Sequence, residues 1–188
     1  MTDTNQPLRS DARRNRDAVL ATAMRVLSRR PDASIQEIAD ASGVGRTTVY
    51  RHFPAREDLV RALFAVVVEE QRAIVSSAVA EGGTVAAVLR RLGPGIVAVG
   101  ERYRFLDAHR GLVVEDPLKD PAPDEPLLAW LTAAHEHGRI RPGLPPDWAY
   151  AMIRALALGA NEEVVAGRRS PEEAGRLLGE TLVRAFAA

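Results

Sequence analysis

The chain has 188 residues, of which 46% are apolar and none is cysteine, so disulfides and thiolate metal sites are excluded and a reducing cytosol is favoured. No N-terminal apolar run resembles a signal peptide and no stretch is long enough to span a bilayer, so we expect a cytoplasmic protein without membrane contact. The net charge is zero, but residues 1–62 carry 11 arginines against 8 acidic residues and residues 63–188 carry 14 basic against 17 acidic residues, which is compatible with local contact to nucleic acid.

The N-terminal part of the chain begins with a polar segment and then becomes helical. Residues 1–10 predict a disordered tail. From about Asp11 to Arg29, apolar residues recur at helical spacing and mark one buried face. Pro31 ends this first helix.

The stretch from Ser34 to Leu59 predicts two short helices around a glycine turn. Ser34 to Glu37 matches a capping box, which begins the first of them. Gly43 can take a left-handed conformation in the turn without steric cost. The next helix runs from about Arg46 to His52, and a proline follows it. Two helices joined in this way form a helix-turn-helix, whose second helix enters the major groove of DNA.

The remainder of the chain also has helical periodicity, so the expected fold class is all-α. A long helix starts near Arg56, and further helices are expected at about 84–98, 101–113, 124–137, 146–166 and 171–186. Gly93-Pro94-Gly95 is interpreted as a helix interruption, and residues 115–126 as a loop. The expected domains are the tail 1–10, a three-helix DNA-binding domain 11–55, and a helical domain 56–188.

The helix-turn-helix segment resembles the N-terminal domain of the TetR family of transcriptional regulators. The matching elements are Ile38-Ala39, Ala41, Gly43-Val44, Thr48-Val49-Tyr50, His52-Phe53, Arg56-Glu57 and Leu59. The resemblance covers about residues 11–62, and the rest of the chain is similar only in being helical. Gly45 stands where the family usually has serine or threonine, which predicts a weaker cap for the recognition helix. Ala55 replaces the usual polar cap of the fourth helix.

The resemblance and the side-chain chemistry together indicate a set of DNA-binding residues. Arg46, Thr47 and Thr48 are expected nearest the base edges, where Arg46 can donate two hydrogen bonds to guanine. The other candidates are expected at phosphates, where they set register rather than sequence preference. They are Ser34, Tyr50, Arg51, His52 and Arg56. The alternative is that these are ordinary solvated polar residues on short helices.

The resemblance also implies a homodimer and a pocket for a small-molecule effector. Residues 148–160 are apolar almost all round, so we expect the last two helices to form the dimer interface, unless both serve only the core of one subunit. Candidate pocket residues are large hydrophobic side chains with a few polar groups among them. They are Phe64, Tyr103, Phe105, His109, Trp130, Met152 and Asn161, although any of them could be plain core. The effector remains unidentified.

Other functional sites find little support in the sequence. His135 and His137 point to different sides of a helix and are interpreted as a helix C-terminus rather than a metal site. No catalytic set and no cofactor motif is present, so we expect neither an enzyme nor a bound cofactor. The expected function is a ligand-responsive regulator on the nucleoid, a repressor released from a roughly palindromic operator by its effector. The alternatives are an activator of the same fold, or a helical ligand-binding protein that uses the helix-turn-helix only as a scaffold.

Overall fold

The computed structural model describes residues 6–106, 109 and 124–188, without the side chains of residues 6–10. This part of the chain forms eight α-helices, which confirms the all-α fold class. They are α1 (Gln6–Leu27), α2 (Ile35–Ser42), α3 (Arg46–His52), α4 (Arg56–Ala80), α5 (Val85–Arg102), α6 (Pro126–Glu136), α7 (Pro146–Val165) and α8 (Pro171–Phe186). No helix in the described residues has the length and hydropathy needed to cross a membrane.

The helix ends agree closely with the sequence pattern except at two places. Helix α1 begins at Gln6, before the predicted start at Asp11. Helix α5 runs through Pro94 and ends at Arg102, so the predicted interruption and the predicted boundary at residue 98 are wrong. The buried face of α5 packs against α8, and this packing outweighs the one backbone hydrogen bond that proline removes. A short 3₁₀ turn at residues 104–106 follows, and the rest of the predicted helix 101–113, apart from residue 109, lies outside the described residues.

The chain divides into two compact units. We call one the head, with described residues 6–66, 105, 106 and 109, and the other the body, with residues 67–104 and 124–188. In the head, α1 contacts both α2 and α3, and its buried apolar residues include Val19, Leu20 and Leu27. Val49 and Phe53 of the α3 region are fully covered. This small core fixes the angle between α2 and α3.

The body is built on very close packing between α5 and α8. A methyl group on Gly93 would lie 2.6 Å from the backbone nitrogen of Gly179 and closer still to the carbonyl oxygen of Gly175. A methyl on Gly179 would lie 2.9 Å from the carbonyl oxygen of Arg90. The absent side chains therefore let the two backbones touch, which only glycine permits at these positions. Leu89, Leu131, Ile153 and other fully covered residues of α5 to α8 form the surrounding core.

Candidate nucleic-acid interface

The N-terminus of α2 is fixed by the predicted capping box. The Ser34 hydroxyl accepts a hydrogen bond from the Glu37 backbone N–H at 3.2 Å, and the Glu37 carboxylate accepts one from the Ser34 backbone N–H at 2.8 Å. These bonds, together with the nearby Arg30, lower the pKa of Glu37 to about 2. The backbone N–H and the hydroxyl of Ser34 are both engaged within the head, so only other groups at this helix end are free to meet a phosphate.

The turn and α3 follow the pattern that the sequence predicts. Gly43 has φ 69° and ends α2 in the left-handed conformation. The Ser42 hydroxyl donates to the Ala39 carbonyl at 2.8 Å and accepts from the Val44 N–H at 3.1 Å, which closes the turn. Gly45 precedes α3 without a side-chain cap, as the substitution at this position predicts. Helix α3 is therefore held mainly by its buried Val49 and by the turn.

One face of α3 remains exposed, and it carries most of the predicted DNA-binding side chains. Arg46, Thr47, Tyr50 and Arg51 are exposed, and Thr48 is half-buried. Tyr50 is a large side chain with 40% of its surface accessible, although nearby apolar side chains are buried. Residues four apart lie on the same side of a helix, so these groups form one polar surface of the size that a major groove admits.

Arg46 is paired with an acidic residue that the sequence analysis did not single out. Its Nε donates to one oxygen of Asp40 at 2.7 Å, and its NH2 nitrogen donates to the other at 2.9 Å. These hydrogen bonds and the charge of Asp40 raise the pKa of the Arg46 guanidinium. The spacing of six residues across a turn is not a helical i,i+4 spacing, so the pairing could not be inferred from periodicity.

Two of the predicted phosphate contacts are partly buried in the head. Arg56 donates to the carbonyl oxygens of Ala33 and of Pro31, the latter at 2.6 Å, and so holds the connection between α1 and α2. His52 is half-buried, and its Nε2 atom is covered and has no hydrogen-bond partner among the described groups. The geometry therefore gives Arg56 a structural role and leaves only the other ring nitrogen of His52 for a phosphate.

The seven predicted pocket residues do not fall in one unit. Phe64, Phe105 and His109 belong to the head, where all three are buried. The His109 ring is hydrogen-bonded to the Pro31 carbonyl, while burial, with the nearby Arg56, lowers its pKa. His109 thus supports the same α1–α2 connection that Arg56 holds.

The other four candidates lie in the body. The Tyr103 hydroxyl donates to Glu70 at 2.7 Å, and burial together with this bond raises the pKa of Tyr103 to about 12. Trp130 and Met152 are partly buried against the core. The Asn161 side chain lies directly over Gly100, and its Oδ1 is buried without a partner among the described groups. Asn161 is therefore the candidate with an unused polar atom in the body.

The sequence analysis missed a charged cluster in the body. Arg72 of α4 donates to the Asp124 side chain at 2.8 Å and lies 3.4 Å from Glu125, which is the N-cap residue of α6. Tyr150 of α7 is close enough that burial and then Glu125 raise its pKa. The acidic pair before Pro126 was the available signal, because acidic residues favour helix N-termini.

Helix α7 leaves apolar side chains exposed. Trp148 and Val165 each have 57% of their surface accessible, and Leu158 has 41%. Ala151, Ala155 and Gly159 lie between them along α7 and are also exposed. A small cavity of about 140 Å³ lies beside α7 and α8, with Leu156 and Leu177 in its lining. Such a patch on a helix is typical of a protein–protein contact.

Comparison with known proteins agrees with this geometry. The family described as "Bacterial regulatory proteins, tetR family" matches residues 19–63, which contain the helix-turn-helix. The HTH-type transcriptional repressor LfrR of Mycolicibacterium smegmatis is 34% identical over 167 residues, which cover 87% of each chain.

Solved structures extend the similarity to the whole fold. The crystal structure of the TetR-like transcriptional regulator LfrR from Mycobacterium smegmatis in complex with proflavine has 29% identity and a TM-score of 0.65, and the match covers 90% of this chain and 95% of that one. Native NalD of Pseudomonas aeruginosa, the secondary repressor of the MexAB-OprM multidrug efflux pump, has 22% identity and a TM-score of 0.65 over 94% and 98% of the two chains, and supports the fold alone. The chain therefore belongs to the TetR family of bacterial regulatory proteins, and it is a ligand-responsive transcriptional repressor with a helix-turn-helix head.

Proposed function

We propose that this repressor binds a roughly palindromic operator as a homodimer in the cytoplasm and leaves it when a planar aromatic cation binds. The exposed polar face of α3 is the observation that carries the DNA-binding part of this proposal. In this proposal Arg46, Thr47 and Thr48 lie nearest the base edges, and Tyr50 and Arg51 contact phosphates. Two-fold related heads would then meet two half-sites about one helical turn apart, or somewhat more.

The homodimer is proposed to form through α7 and α8. The exposed Trp148, Leu158 and Val165 give this surface its apolar character, and the small residues between them allow another helix to approach closely. Leu158→Glu should convert the dimer to a monomer in sedimentation velocity, because a carboxylate would be buried at the contact. Ala129→Glu, at an exposed position of α6, is the control and should leave the dimer intact.

The effector class is proposed from the similarity to LfrR, whose crystal structure contains proflavine. The body offers both kinds of group that a planar cation needs. Trp130 is aromatic and only partly buried, and the carboxylates of Glu70 and Glu125, which pair with Arg102 and Arg72, are the candidate partners for the positive charge. Helix α4 continues from the head into the body, so a shift of its body portion on binding would be transmitted along one helix. The effector must bind the DNA-free state more tightly, since otherwise it shifts nothing.

The proposal is tested by recovering bound duplexes from a random library and then titrating proflavine into the purified complex. We expect a two-fold symmetric preferred sequence, and dissociation of the complex as proflavine is added, followed by fluorescence anisotropy of labelled DNA. A protein that recovers no preferred sequence at moderate salt would contradict the DNA-binding part.

Proflavine itself binds DNA, so the anisotropy experiment needs a control. The same titration with an unrelated DNA-binding protein on its own site measures dissociation caused by the dye alone. Direct binding of proflavine to the DNA-free protein, followed by quenching of tryptophan fluorescence, should then saturate. If it does not, the effector class is wrong while the repressor assignment stands.

A further inference from the structure

The Arg46–Asp40 pair has a geometry that suits a second task for Asp40. The carboxylate binds Arg46 through the Nε–H and one N–H of the NH2 nitrogen, at 2.7 and 2.9 Å. A guanidinium has five N–H donors in one plane, so this leaves the edge formed by NH1 and NH2 with its donors unused by Asp40. An arginine that reads guanine bidentately needs one such edge, with two parallel donors aimed at O6 and N7.

Local helix stability does not explain the pair. Arg46 is the first residue of α3, where the helix dipole disfavours positive charge. Asp40 lies in the last turn of α2, where the dipole disfavours negative charge. Both side chains are about half exposed, at 59% and 49%, and exposed ion pairs contribute little to stability. Each charge is unfavourable at its own helix end, and the ion pair only offsets this electrostatic cost. A neutral residue at either position would avoid the cost altogether.

We propose that Asp40 is a positioning residue for sequence recognition, which holds Arg46 by one edge of its guanidinium and presents the other edge to a guanine in the operator. The proposal depends on the proposed function, in which α3 reads the major groove. Held in this way, Arg46 gives up less side-chain freedom when it meets the base, and its plane is fixed before contact. Asp40 also brings a negative charge close to the DNA backbone, which weakens binding to sequences that do not satisfy Arg46.

The test measures specificity one base pair at a time. The full-length wild-type protein, Asp40→Ala, Arg46→Ala and the double variant are titrated against a set of operator duplexes, each with one base pair of both half-sites replaced. We expect wild type to prefer guanine by about 10- to 100-fold at one position, as for a good bidentate contact. Asp40→Ala should lower this preference at least about 5-fold and leave the other positions unchanged, and the double variant should match Arg46→Ala.

Two further variants separate positioning from charge and from folding. Asp32→Ala removes one exposed acidic residue of the head elsewhere, so it should raise affinity for random DNA as Asp40→Ala does, but keep the guanine preference. Asp40→Glu keeps the carboxylate and should retain part of the preference. Asp40→Asn, which is nearly isosteric, replaces Asp40→Ala if the latter shows a lowered melting temperature.

Three results would overturn the inference while leaving the repressor assignment intact. For Asp40→Ala, they are an equal loss of discrimination at every base pair, an unchanged preference for guanine, and a sharper preference for guanine. The third result would mean that the pair withholds Arg46 from DNA. A wild-type protein with no sequence preference at all would instead contradict the proposed function, and the inference would fall with it.

Discussion

The head and the body both consist of α-helices with polar side chains at their ends, but different contacts hold the helices against one another. In the head, side chains bond to backbone groups at the helix ends: Ser34 with Glu37, Ser42 across the turn, and Arg56 to two carbonyl oxygens. In the body, the central feature is the backbone contact between α5 and α8, which is possible because Gly93, Gly175 and Gly179 lack side chains.

The difference follows from what each region must expose. Helices α2 and α3 are short, and their outer face carries polar groups, so they cannot bury much apolar surface. Directional hydrogen bonds therefore fix their orientation. The body has long helices with wide apolar faces and depends on close packing. Three predictions, in order of decreasing expected effect, can break or sharpen this contrast.

The largest effect is expected from Gly93→Ala in the body. The added methyl would overlap backbone atoms of Gly175 and Gly179, which cannot rotate away as a side chain could. Helices α5 and α8 must then separate, and overpacking of this kind costs about 3 kcal/mol or more. For a chain of this length that corresponds to a loss of about 10 °C in melting temperature, measured by circular dichroism at fixed protein concentration.

The matched control adds bulk where the helix surface is open. Ala129→Val, at an exposed position of α6, should cost only the difference in helix propensity, about 0.5 kcal/mol. Equal melting temperatures for the two variants would show that the α5–α8 contact is looser than described and would weaken the contrast between the regions.

The next prediction compares two arginines that the sequence places together as phosphate contacts. Arg56→Ala removes the hydrogen bonds to the Ala33 and Pro31 carbonyls and should lower the stability of the protein by about 1–2 kcal/mol. Arg51 is exposed, so Arg51→Ala should leave the melting temperature unchanged.

In DNA binding the larger effect should come from Arg51→Ala, whereas in stability it should come from Arg56→Ala. Arg51→Ala should weaken binding to all DNA sequences evenly. It should also reduce the salt dependence of the affinity by the amount expected for about one phosphate contact. Arg56→Ala should retain the salt dependence of wild type under conditions in which it remains folded. If Arg56→Ala also reduces the salt dependence, Arg56 reaches a phosphate and its structural role is secondary.

Most of the head could be predicted from the sequence because its signals are local. The capping box at Ser34, the left-handed Gly43 and the uncapped Gly45 each depend on residues within a few positions, and the structure has all three. The pairing of Arg46 with Asp40 and the contacts of Arg56 could not be predicted, since they join separate elements. The roles assigned to individual DNA-binding residues stay predictions.

The body is predictable only as a set of helices. Helical periodicity indicates which face is buried but not what it packs against, so Gly93-Pro94-Gly95 predicts a break where the structure has a contact surface for α8. For the same reason the sequence groups Phe105 and His109 with body residues, although they belong to the head. A pocket depends on long-range packing, and the pocket residues therefore also stay predictions.

The smallest effect is expected from acid titration of the capping box in the head. The pKa of Glu37 is lowered from 4.5 to about 2, chiefly by the hydrogen bond from the Ser34 backbone. The folded state thus favours the charged carboxylate more than the unfolded state does. Its contribution to stability is complete above pH 4.5 and is lost as the pH falls towards 2. Denaturant unfolding followed across this pH range should show the loss in wild type.

Glu37→Gln keeps a side chain of the same shape that can still accept the Ser34 N–H, but it does not titrate. The variant should be slightly less stable than wild type at neutral pH, and the two should converge as the pH approaches the lowered pKa of about 2. Glu57→Gln, which removes an exposed carboxylate outside the capping box, is the control and should follow the wild-type profile. If Glu37→Gln differs from wild type by the same amount at every pH, the capping box is held by shape rather than by charge, and the directional polar bonds of the head would then owe little to ionisation.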